Sequence, residues 1–450
     1  MNKTAWSQMD LIREAFHYQS RFDGSTMVFK IDFPVTEDPG FPYLMKDLAL
    51  LARTGFRVVI VPGAKEWIDA VLSEYGIVSD YAGTTRITTA QAIPLVEMAA
   101  FHVATRFMTG LSASRVDAVI GNFVRARGLG VIEGRDMEHT GAVDKVLIRA
   151  IQRVLQEGMV SILPCIGYSP TGKAYNVPSD EIALAASTEL GAVKLFIVSV
   201  NGGLQHGVYT LPETIPVREH CIIGRLTPQE AEVILQLNQE GTSTEDKPLQ
   251  NLRLALQACR AGIERVHLID GREEGVVLRE LFSNLGSGTM VHADEYEAIR
   301  SLKSADIADI LRLMEPLVQQ GFLVRRTGEK INEKKADYVV FEIDGSVHAC
   351  GALHDWGEGQ GEIAAIATDP AYADKGLGRR IVRYLIDRAE RQGLYRVFLL
   401  TTHTHDWFEF LGFTEASVES LPTRRRNNYD HHRKSTIFAL ELQNRVDNLA

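Results

Sequence analysis

Short apolar runs that alternate with helical patterns constrain the fold of this chain more than any other feature of its sequence. Five such runs occur in the first part of the chain, at 26–32, 57–63, 159–167, 194–200 and 265–270. Apolar strands separated by amphipathic helices are typical of a parallel sheet that helices cover on both faces. We therefore predict an α/β unit of about 290 residues, with a ligand crevice at the carboxyl ends of its strands.

A different pattern begins at about residue 293. Ser304 can cap a helix with one apolar face. The dipeptide Asp344-Gly345 separates two strand-like runs, which is a strong signal for a β-hairpin. Helix, strand, helix and strand patterns then follow in turn. We predict a second, mixed α/β domain, so that the chain divides into residues 1–292 and residues 293–450.

The stretch from Gly361 to Arg380 joins a short apolar strand to a basic helix through a polar turn that contains Gly376 and Gly378. A helix N-terminus offers unpaired N–H groups and the positive end of the helix dipole, and glycines let the main chain approach a ligand closely. The stretch is therefore suited to a pyrophosphate. The alternative is an ordinary glycine-started helix whose basic residues are solvated.

Composition and charge argue against several classes of protein. The net charge of −10 and the pI of about 5.8 disfavour nucleic acid or an anionic membrane as a partner. The four cysteines are scattered, without a CxxC pair or a nearby histidine at metal spacing, and predict neither a disulfide framework nor a metal site. No apolar run approaches the roughly 18 residues of a membrane span, and no secretory leader fits the N-terminus. We expect a cytoplasmic protein.

The turns that follow the first strands resemble those of a known family. Lys30-Ile31-Asp32-Phe33, Val61-Pro62-Gly63-Ala64, Gly121-Asn122-Phe123 and the closing run 267–271 resemble the amino acid kinase fold in their order, which implies an αβα sandwich with a mainly parallel sheet. However, Asp32-Phe33 replaces a glycine pair of the kinases, Pro62-Gly63-Ala64 replaces a glycine triplet, and a later phosphate-contacting lysine falls near Asn251. Because phosphoryl transfer depends on backbone cradles and cations around the phosphates, we expect no kinase activity.

A second resemblance of this domain concerns regulation. His267, the run Glu280-Leu281-Phe282 and the glycine-rich stretch 286–289 resemble the arginine-binding signature of arginine-regulated acetylglutamate kinases and acetylglutamate synthases. A carboxylate beside a glycine-rich turn suits a guanidinium, which it can bind through two hydrogen bonds. The resemblance implies that His267, Glu280 and Gly286 bind arginine. On spacing alone, Glu280 could instead be a solvated helix residue, and the glycines a domain linker.

The second domain resembles the GCN5-related N-acetyltransferase fold. The resemblance rests on the order of strands and helices, on Gly376-Leu377-Gly378, and on Phe408 with Leu411-Gly412-Phe413. It implies a mixed α/β domain with acetyl-CoA as co-substrate. By position, the residues that would bind acetyl-CoA are Ile366, Ala367, Thr368, Lys375, Gly376, Leu377, Gly378 and Arg379. The chain departs from the family pattern at Ala373, where a long polar side chain is usual.

Acetyl transfer to an amine needs a proton acceptor, because a substrate α-amino group is mostly protonated at neutral pH. Glu362 begins the strand that would line the thioester and could take this proton directly or through water, a role worth roughly 10² to 10⁴ in rate. Alternatively, Glu362 is only a surface charge at a strand end. The departing thiolate also needs a donor. The late helical segment 405–410 has no tyrosine for this role, so Thr401 or a water would serve, and the general acid stays open.

Arginine-rich segments indicate the substrate. The segments LVRR, GEIAAIA, LLTT, LPTRRR and HHRKS closely resemble the bacterial N-acetylglutamate synthase family, along essentially the whole chain. This resemblance implies acetyl transfer to the α-amine of L-glutamate, at the first step of arginine biosynthesis. By position, Arg326 and Arg433 would hold the α-carboxylate, Arg425 with Thr401 would hold the γ-carboxylate, and Ala365 would also contact the substrate. The register within Arg424-Arg425-Arg426 stays open by one residue.

Two other functions are left to test. One is a bifunctional protein that also has kinase activity, against which Asp32-Phe33 and Asn251 argue. The other is an amino-acid sensor without catalysis, in which Glu362 and the glycine turn would be vestigial. We expect L-arginine to act as an effector through the first domain, but the sign and strength of its effect do not follow from the sequence. The family implies a homo-oligomer, in particular a hexamer.

Overall fold

The computed structural model describes residues 22–83, 85–212, 215, 222–238, 246–282, 287–293, 297–343, 345–370, 372 and 376–442. The chain divides into two compact units, and the division falls between Asp294 and Glu295. We call these the first unit and the second unit, in chain order. None of the described helices combines the length and the apolar character that a membrane span needs.

Strands and helices alternate along most of the first unit. Its described strands are β1 Thr26–Ile31, β2 Arg57–Pro62, β3 Asp80–Ala82, β4 Thr85–Ile87, β5 Ala118–Ile120, β6 Val124–Gly128, β7 Val131–Ile132, β8 Arg135–Asp136, β9 Gly141–Val146, β10 Val160–Ile162, β11 Ile166–Tyr168, β12 Ala174–Asn176, β13 Lys194–Ser199, β14 Arg225–Leu226, β15 Arg265–Asp270 and β16 Thr289–His292. Its described helices are α1 Phe33–Thr36, α2 Phe41–Arg53, α3 Lys65–Glu74, α4 Ile93–Ala113, α5 Ile148–Gln156, α6 Ser179–Leu190, α7 Pro228–Leu237, α8 Lys247–Arg260 and α9 Val276–Phe282.

Eight of these strands form the central sheet, in the order β14-β16-β15-β13-β1-β2-β10-β5. Its neighbours run parallel, except that β15 and β16 are antiparallel. Alternate residues of β1 enter different apolar clusters, Met27 and Phe29 on one face and Val28 on the other. Helices therefore cover both faces, and the predicted αβα sandwich with a mainly parallel sheet is confirmed.

A smaller sheet and two helix caps complete the first unit. The smaller sheet has the order β12-β11-β6-β9. Thr227 and Glu230 exchange the two hydrogen bonds of a capping box at the start of α7. The Asp246 side chain accepts a hydrogen bond of 3.0 Å from the N–H of Leu249 and so begins α8. This cap makes Lys247 the first residue of α8, beside the crevice at the strand ends.

The second unit is built on one sheet. Its described strands are β17 Glu297–Ser301, β18 Tyr338–Ile343, β19 Ser346–Asp355, β20 Gln360–Thr368, β21 Arg396–Thr401, β22 Thr414–Ala416 and β23 Thr436–Glu441. Its described helices are α10 Ile307–Gln319, α11 Gly328–Glu333, α12 Leu377–Arg391, α13 His405–Phe410 and α14 Thr423–Arg426, with short 3₁₀ segments at Ser304–Asp306, Lys335–Asp337 and Val418–Ser420. The strand order is β17-β18-β19-β20-β21-β23-β22, and of these pairs only β20 and β21 run parallel. The predicted mixed α/β domain is confirmed.

Two local predictions can be compared with the structure in detail. The helix expected at Ser304 is preceded by a 3₁₀ turn, because the Asp306 carboxylate accepts hydrogen bonds from the N–H of Lys303 at 2.7 Å and from the Arg300 guanidinium at 2.7 Å. The predicted hairpin is present, since β18 and β19 pair antiparallel, although Asp344 of its turn lies outside the described residues.

Helix α12 packs closely on β19 and β20. A Cβ atom at Gly351 would lie 2.6 Å from the Ile381 side chain and 2.7 Å from that of Ile366, so only glycine lets the helix approach this far. Ile381 and Leu385 are buried in the contact. This packing fixes the N-terminus of α12 next to the end of β20.

Candidate active site

The centre of the second sheet opens at β20. On one side, the pairing of β20 with β19 shifts register between Ala352 and Cys350, which indicates a β-bulge, and Ala365 adopts a left-handed backbone with a φ of 55°. On the other side, β20 pairs with β21 only over Gln360 to Glu362. The two parallel strands therefore diverge beyond Glu362. The free backbone edge of β20 in this opening can bind an extended ligand.

The N-terminus of α12 lies at the far end of this opening. Gly376 has a φ of 68°, and apart from its chain neighbours no described residue lies within 4 Å of its Cβ position. The nearest neighbours of a Cβ at Gly378 would be Thr368 at 3.5 Å and Trp407 at 3.6 Å. Both glycines therefore leave room beside the first helical turn, whose N–H groups can bind phosphate oxygens. Arg379 adds a cation, which lies 5.3 Å from the ring of Phe410.

These surroundings fit the diphosphate and the extended arm of acetyl-CoA. Ile366, Ala367 and Thr368 lead along β20 from the opening towards Gly376, Leu377 and Gly378, so most of the residues predicted to bind acetyl-CoA follow one path. Lys375 and Ala373 lie outside the described residues. The predicted contact of Lys375 with acetyl-CoA, and the consequence of the departure from the family pattern at Ala373, stay predictions.

Glu362 lies in a buried cluster with two partners. Its two carboxylate oxygens accept hydrogen bonds from the Arg425 guanidinium, Oε2 from Nε at 2.8 Å and Oε1 from Nη2 at 3.0 Å. The indole N–H of Trp356 donates to Oε2 at 2.7 Å, and the Arg425 guanidinium lies 5.4 Å from the Trp356 ring centre. Only 10% of the Glu362 side chain and 15% of that of Arg425 are exposed. Glu362 is therefore not a solvated charge at a strand end.

Thr401 ends the neighbouring strand and is separate from this cluster. Its hydroxyl bonds within the following loop, where it donates to the carbonyl oxygen of His403 and lies 3.4 Å from the hydroxyl of Thr404. Phe398 of the same strand is in register with Glu362. Thr401 is three residues further along, or about 10 Å. The hydrogen bonds of the described residues do not join Thr401 to Arg425, the pair predicted for the γ-carboxylate.

Arg433 and Arg326 converge on the loop between α10 and α11. Arg433 Nη2 donates to the carbonyl oxygens of Phe322, at 2.7 Å, and Gly321, at 3.2 Å. Arg326 belongs to the same loop. Burial raises the pKa of the Cys350 thiol to about 12, and the charge of Arg326 opposes part of this rise. The Cys350 thiol in turn lies 3.5 Å from the carbonyl oxygen of Ala365. One arginine predicted for the α-carboxylate thus contacts this loop, and the other belongs to it.

Sequence reasoning missed Trp356. This residue precedes the turn between β19 and β20, and the pairing of Asp355 with Gly361 brings it alongside Glu362. A hairpin of two predicted strands with a short turn was the available signal, since residues just outside such a turn are neighbours in space. Trp356 holds both members of the Glu362–Arg425 pair, one through its N–H and the other through its ring.

The residues predicted to bind arginine form a second buried cluster, in the first unit. Glu280 accepts hydrogen bonds from His267 Nδ1 at 2.9 Å and from the backbone N–H groups of Ser287 at 2.8 Å and Gly288 at 3.4 Å. Burial alone would raise the pKa of Glu280, but these donors hold it below its usual value, so the carboxylate is ionised. Burial lowers the pKa of His267. Gly286 lies outside the described residues.

The crevice of the first unit is a cavity of about 440 Å³ at the carboxyl ends of the strands. At its base the fully buried Lys30 ammonium contacts Asp32 at 2.6 Å and Asp180 at 2.7 Å. Lys247, not Asn251, lines the cavity and approaches Asp32 at 3.3 Å, whereas the amide of Asn251 is buried against Ser199. We expected a later phosphate-contacting lysine of the kinases to be replaced near Asn251. The structure corrects this expectation, because Lys247 supplies a cation to the cavity.

Asp32 adds a negative charge to that cavity, next to Lys30. Burial by itself would lower the pKa of Lys30, but Asp180 and Asp32 raise it, so the lysine stays charged and its charge is neutralised within the protein. A phosphate would meet the Asp32 carboxylate where the kinases carry glycine, and like charges repel. Nowhere in the described residues do three His, Cys, Asp or Glu side chains converge as a metal ion requires.

Comparison with known proteins covers both units. The model of the amino acid kinase family matches residues 33–270, and that of the acetyltransferase (GNAT) family matches residues 306–413. The amino-acid acetyltransferase of Pseudomonas putida strain GB-1 is 34% identical, over 96% of this chain and 98% of its own. That of Pseudomonas aeruginosa strain LESB58 is 33% identical over the same shares.

Two solved structures are similar over almost the whole chain. N-acetylglutamate synthase from Neisseria gonorrhoeae complexed with coenzyme A and L-arginine is 31% identical, with a TM-score of 0.83 and coverage of 97% of this chain and 100% of that chain. The same synthase complexed with coenzyme A and N-acetyl-glutamate is 32% identical, with the same coverage and a TM-score of 0.59. The resemblance predicted from the sequence is confirmed, and the chain belongs to the family of amino-acid acetyltransferases that join an amino acid kinase domain to a GNAT domain.

Proposed function

We propose that the protein transfers the acetyl group of acetyl-CoA to the α-amine of L-glutamate, the first step of arginine biosynthesis. Family membership supports the reaction class, and the solved synthase that binds coenzyme A and N-acetyl-glutamate supports the substrates. The observation in this chain that carries the proposal is the buried pair of Glu362 and Arg425 next to the opening of β20. The pair supports the proposal because it supplies a carboxylate suited to the role of base and a guanidinium suited to a substrate carboxylate beside this opening.

Each part of the opening has a role in this reaction. Acetyl-CoA supplies the activated acetyl group. The N-terminus of α12 binds its diphosphate, and the free N–H groups beyond Glu362 on β20 polarise the thioester carbonyl as negative charge develops on its oxygen. Glu362 takes one proton from the substrate ammonium, which leaves the neutral amine as nucleophile. Arg326 and Arg433 hold the α-carboxylate, and Arg425 holds the side-chain carboxylate.

Of the predicted roles, that of Thr401 in substrate binding or thiolate protonation has the least direct support from the geometry. Its hydroxyl is bonded within the loop that follows β21, so a contribution to the γ-carboxylate or to thiolate protonation requires this loop to rearrange. A water can protonate the thiolate instead. Ala365 contributes through its backbone, because its left-handed conformation turns the peptide groups at the bulge.

Acetyl-CoA consumption in the presence of single amino acids tests the proposal. We expect L-glutamate to react at least tenfold faster than L-aspartate, which is one methylene shorter, and L-lysine, which places a cation opposite Arg425. Similar rates with all three amino acids would contradict glutamate as the substrate. Arginine binding without any acetyl-CoA binding would favour the alternative of a sensor without catalysis.

We further propose that L-arginine binds the first unit at His267, Glu280 and Gly286 and changes the rate of acetyl transfer. The solved synthase that contains L-arginine supports an effector of this chemistry, and the ionised Glu280 is a suitable partner for a guanidinium. The proposal predicts that saturating arginine changes both the activity and the thermal midpoint. No change in either property would contradict it.

Kinase activity and assembly need separate measurements. Lys30, Asp180 and Lys247 lie together as a phosphoryl-transfer site would require, but the internal pairing with Asp32 argues against phosphate binding. We expect no ADP release from ATP with N-acetyl-L-glutamate, and sustained release would restore the bifunctional alternative.

The family supports a homo-oligomer, a hexamer in particular, which light scattering of the full chain would test.

A further inference from the structure

Glu362 and Arg425 bind each other through two hydrogen bonds. Arg425 Nε and Nη2 donate to the two oxygens of Glu362, and its Nη1 donates to the backbone carbonyl oxygen of Asn428 at 3.1 Å. Glu362 Oε2 accepts a further bond from Trp356. The guanidinium fork is therefore occupied, and the carboxylate accepts three hydrogen bonds.

This pairing conflicts with the roles that the proposed function assigns to the two residues. Both oxygens of Glu362 accept hydrogen bonds from Arg425 and one also accepts from Trp356, so the carboxylate has little remaining capacity to accept a hydrogen bond from a substrate ammonium. Nε and Nη2 of Arg425 cannot donate to the two oxygens of a substrate carboxylate while they donate to Glu362. The two bonds between the fork and Glu362 must be given up before either residue can act.

We propose that the side-chain carboxylate of the substrate takes the place of Glu362 on the fork of Arg425 and so releases Glu362 to act as the base. The proposal rests on the proposed function and deepens it, because the acidic side chain then switches on the reaction as well as contributing affinity. Discrimination against a neutral side chain appears in kcat, since such a substrate can bind at its α-carboxylate but leaves Glu362 paired.

The exchange is feasible because it replaces one carboxylate on Arg425 by another of equal charge and shape. Arg425 belongs to α14, a segment of only four residues whose other arginines are exposed, so its side chain is not enclosed by a long element. Trp356 is a positioning residue in this scheme. Its N–H keeps Glu362 in place after the fork has moved, and its ring remains a surface for the guanidinium.

The proton count of the step is simple. The substrate ammonium carries one proton more than the neutral amine, and Glu362 receives it once the fork has left. The amine nitrogen then forms the C–N bond as the thioester C–S bond breaks. The second proton that this nitrogen loses protonates the departing sulfur through Thr401 or water, and Glu362 returns its proton to solvent.

Arg425→Met with L-glutamine as substrate separates this scheme from a role in binding only. Glutamine has the shape of glutamate but no side-chain charge, so in the wild-type protein it leaves Glu362 bound. Methionine removes the fork and frees Glu362 permanently. We expect kcat for glutamine to rise about tenfold in the variant, while KM for glutamate rises about 100-fold. An unchanged or lower kcat for glutamine would overturn the proposal.

Matched variants keep this test decisive. Arg424→Met removes the exposed neighbouring arginine and should leave both substrates within about twofold of the wild-type protein. Should Arg425→Met fold poorly, as its thermal midpoint and coenzyme A binding would reveal, Arg425→Lys removes the fork but keeps the charge, and should raise kcat for glutamine by a smaller factor. A wild-type protein that does not prefer glutamate to lysine would refute the proposed function itself. A glutamate enzyme without the glutamine effect would refute only the exchange.

Tryptophan fluorescence reports the exchange without turnover. Because the Arg425 guanidinium lies over the Trp356 ring, its movement changes the surroundings of that indole. In the presence of coenzyme A, we expect glutamate to change the emission and glutamine to have little effect. Trp356→Phe corrects for the other three of the four tryptophans and should abolish the difference. Equal changes with both amino acids would show that no exchange accompanies glutamate binding.

Discussion

Two buried glutamates, one in each unit, are bound in different ways. Exposure is 4% for the Glu280 side chain and 10% for that of Glu362, so each carboxylate depends on hydrogen-bond donors from the protein. Glu280 has two backbone N–H groups and the His267 ring, and neither backbone donor can leave. Glu362 has Trp356 and the long side chain of Arg425.

The difference separates a recognition site from a reaction site. Fixed donors hold the pKa of Glu280 below its usual value, which suits a carboxylate that recognises a cation. A base must instead offer an oxygen to the substrate proton, and at Glu362 this requires a donor that can be withdrawn. Arg425 is such a donor, because a substrate carboxylate can compete for it. The predictions below alter one carboxylate or donor at a time.

The largest effect is expected from removal of the base. Glu362→Gln keeps the size of the side chain and still accepts a hydrogen bond from Trp356, but it cannot take up the proton of the substrate ammonium. We expect kcat/KM for glutamate to fall by about 10² to 10⁴. Binding of coenzyme A, measured by calorimetry, should be unchanged. A loss below about threefold would show that Glu362 is not the proton acceptor.

Removal of Arg425, the hydrogen-bond donor that can leave Glu362, should mainly weaken substrate binding. Arg425→Ala deletes the guanidinium that we assign to the side-chain carboxylate of glutamate. We expect KM for glutamate to rise about 100-fold, the value of a lost charge-assisted pair, while KM for acetyl-CoA changes less than about threefold. Steady-state kinetics with each substrate varied in turn provide the measurement. Equal effects on both constants would remove Arg425 from the substrate site.

The sequence predicted the members of these sites better than their contacts. Glu362 and Arg425 each belong to a local motif, but their bond spans 63 positions and depends on how α14 lies against β20. The bulge at Ala365 has no signal, because alanine rarely adopts a positive φ. Lys247 was missed in favour of Asn251 because the start of α8 is set by the Asp246 cap, and helix boundaries are the least predictable feature of a sequence.

Removal of the charge of Glu280 tests the other side of the comparison. Its expected effect, on the response to arginine, is smaller. Glu280→Gln keeps an oxygen for the backbone donors but removes the charge. If Glu280 recognises the effector, we expect the arginine concentration for a half-maximal effect to rise about tenfold, with basal acetyl transfer changed by less than about twofold. Glu273→Gln, at an exposed carboxylate of the same unit, is the control. An unaltered arginine response in Glu280→Gln would place the effector elsewhere.

A third carboxylate, Asp47 on α2, has a buried oxygen without a hydrogen-bond donor among the described residues. Its substitution should produce the smallest effect of the four predictions. Its buried Oδ2 has no hydrogen-bond partner in the described part of the chain, and burial, with a contribution from Glu274, raises its pKa from 3.8 to about 6. A raised pKa means that the folded state binds the proton more tightly than the unfolded state. The free energy of unfolding therefore falls as the pH rises from about 4 to 6.

Asp47→Asn removes this penalty where it is fully present, above pH 6. The full shift corresponds to about 3 kcal/mol, which partial exposure of the side chain reduces to about 1 kcal/mol. We expect the thermal midpoint of the variant to exceed that of the wild-type protein by about 2–4 °C at pH 7.5 and to match it near pH 4. Asp144→Asn, at an exposed position of β9, should leave the midpoint unchanged at both pH values. A gain of the same size at both pH values would mean that the proton on Asp47 is not its cause, because at pH 4 the wild-type carboxyl already carries that proton.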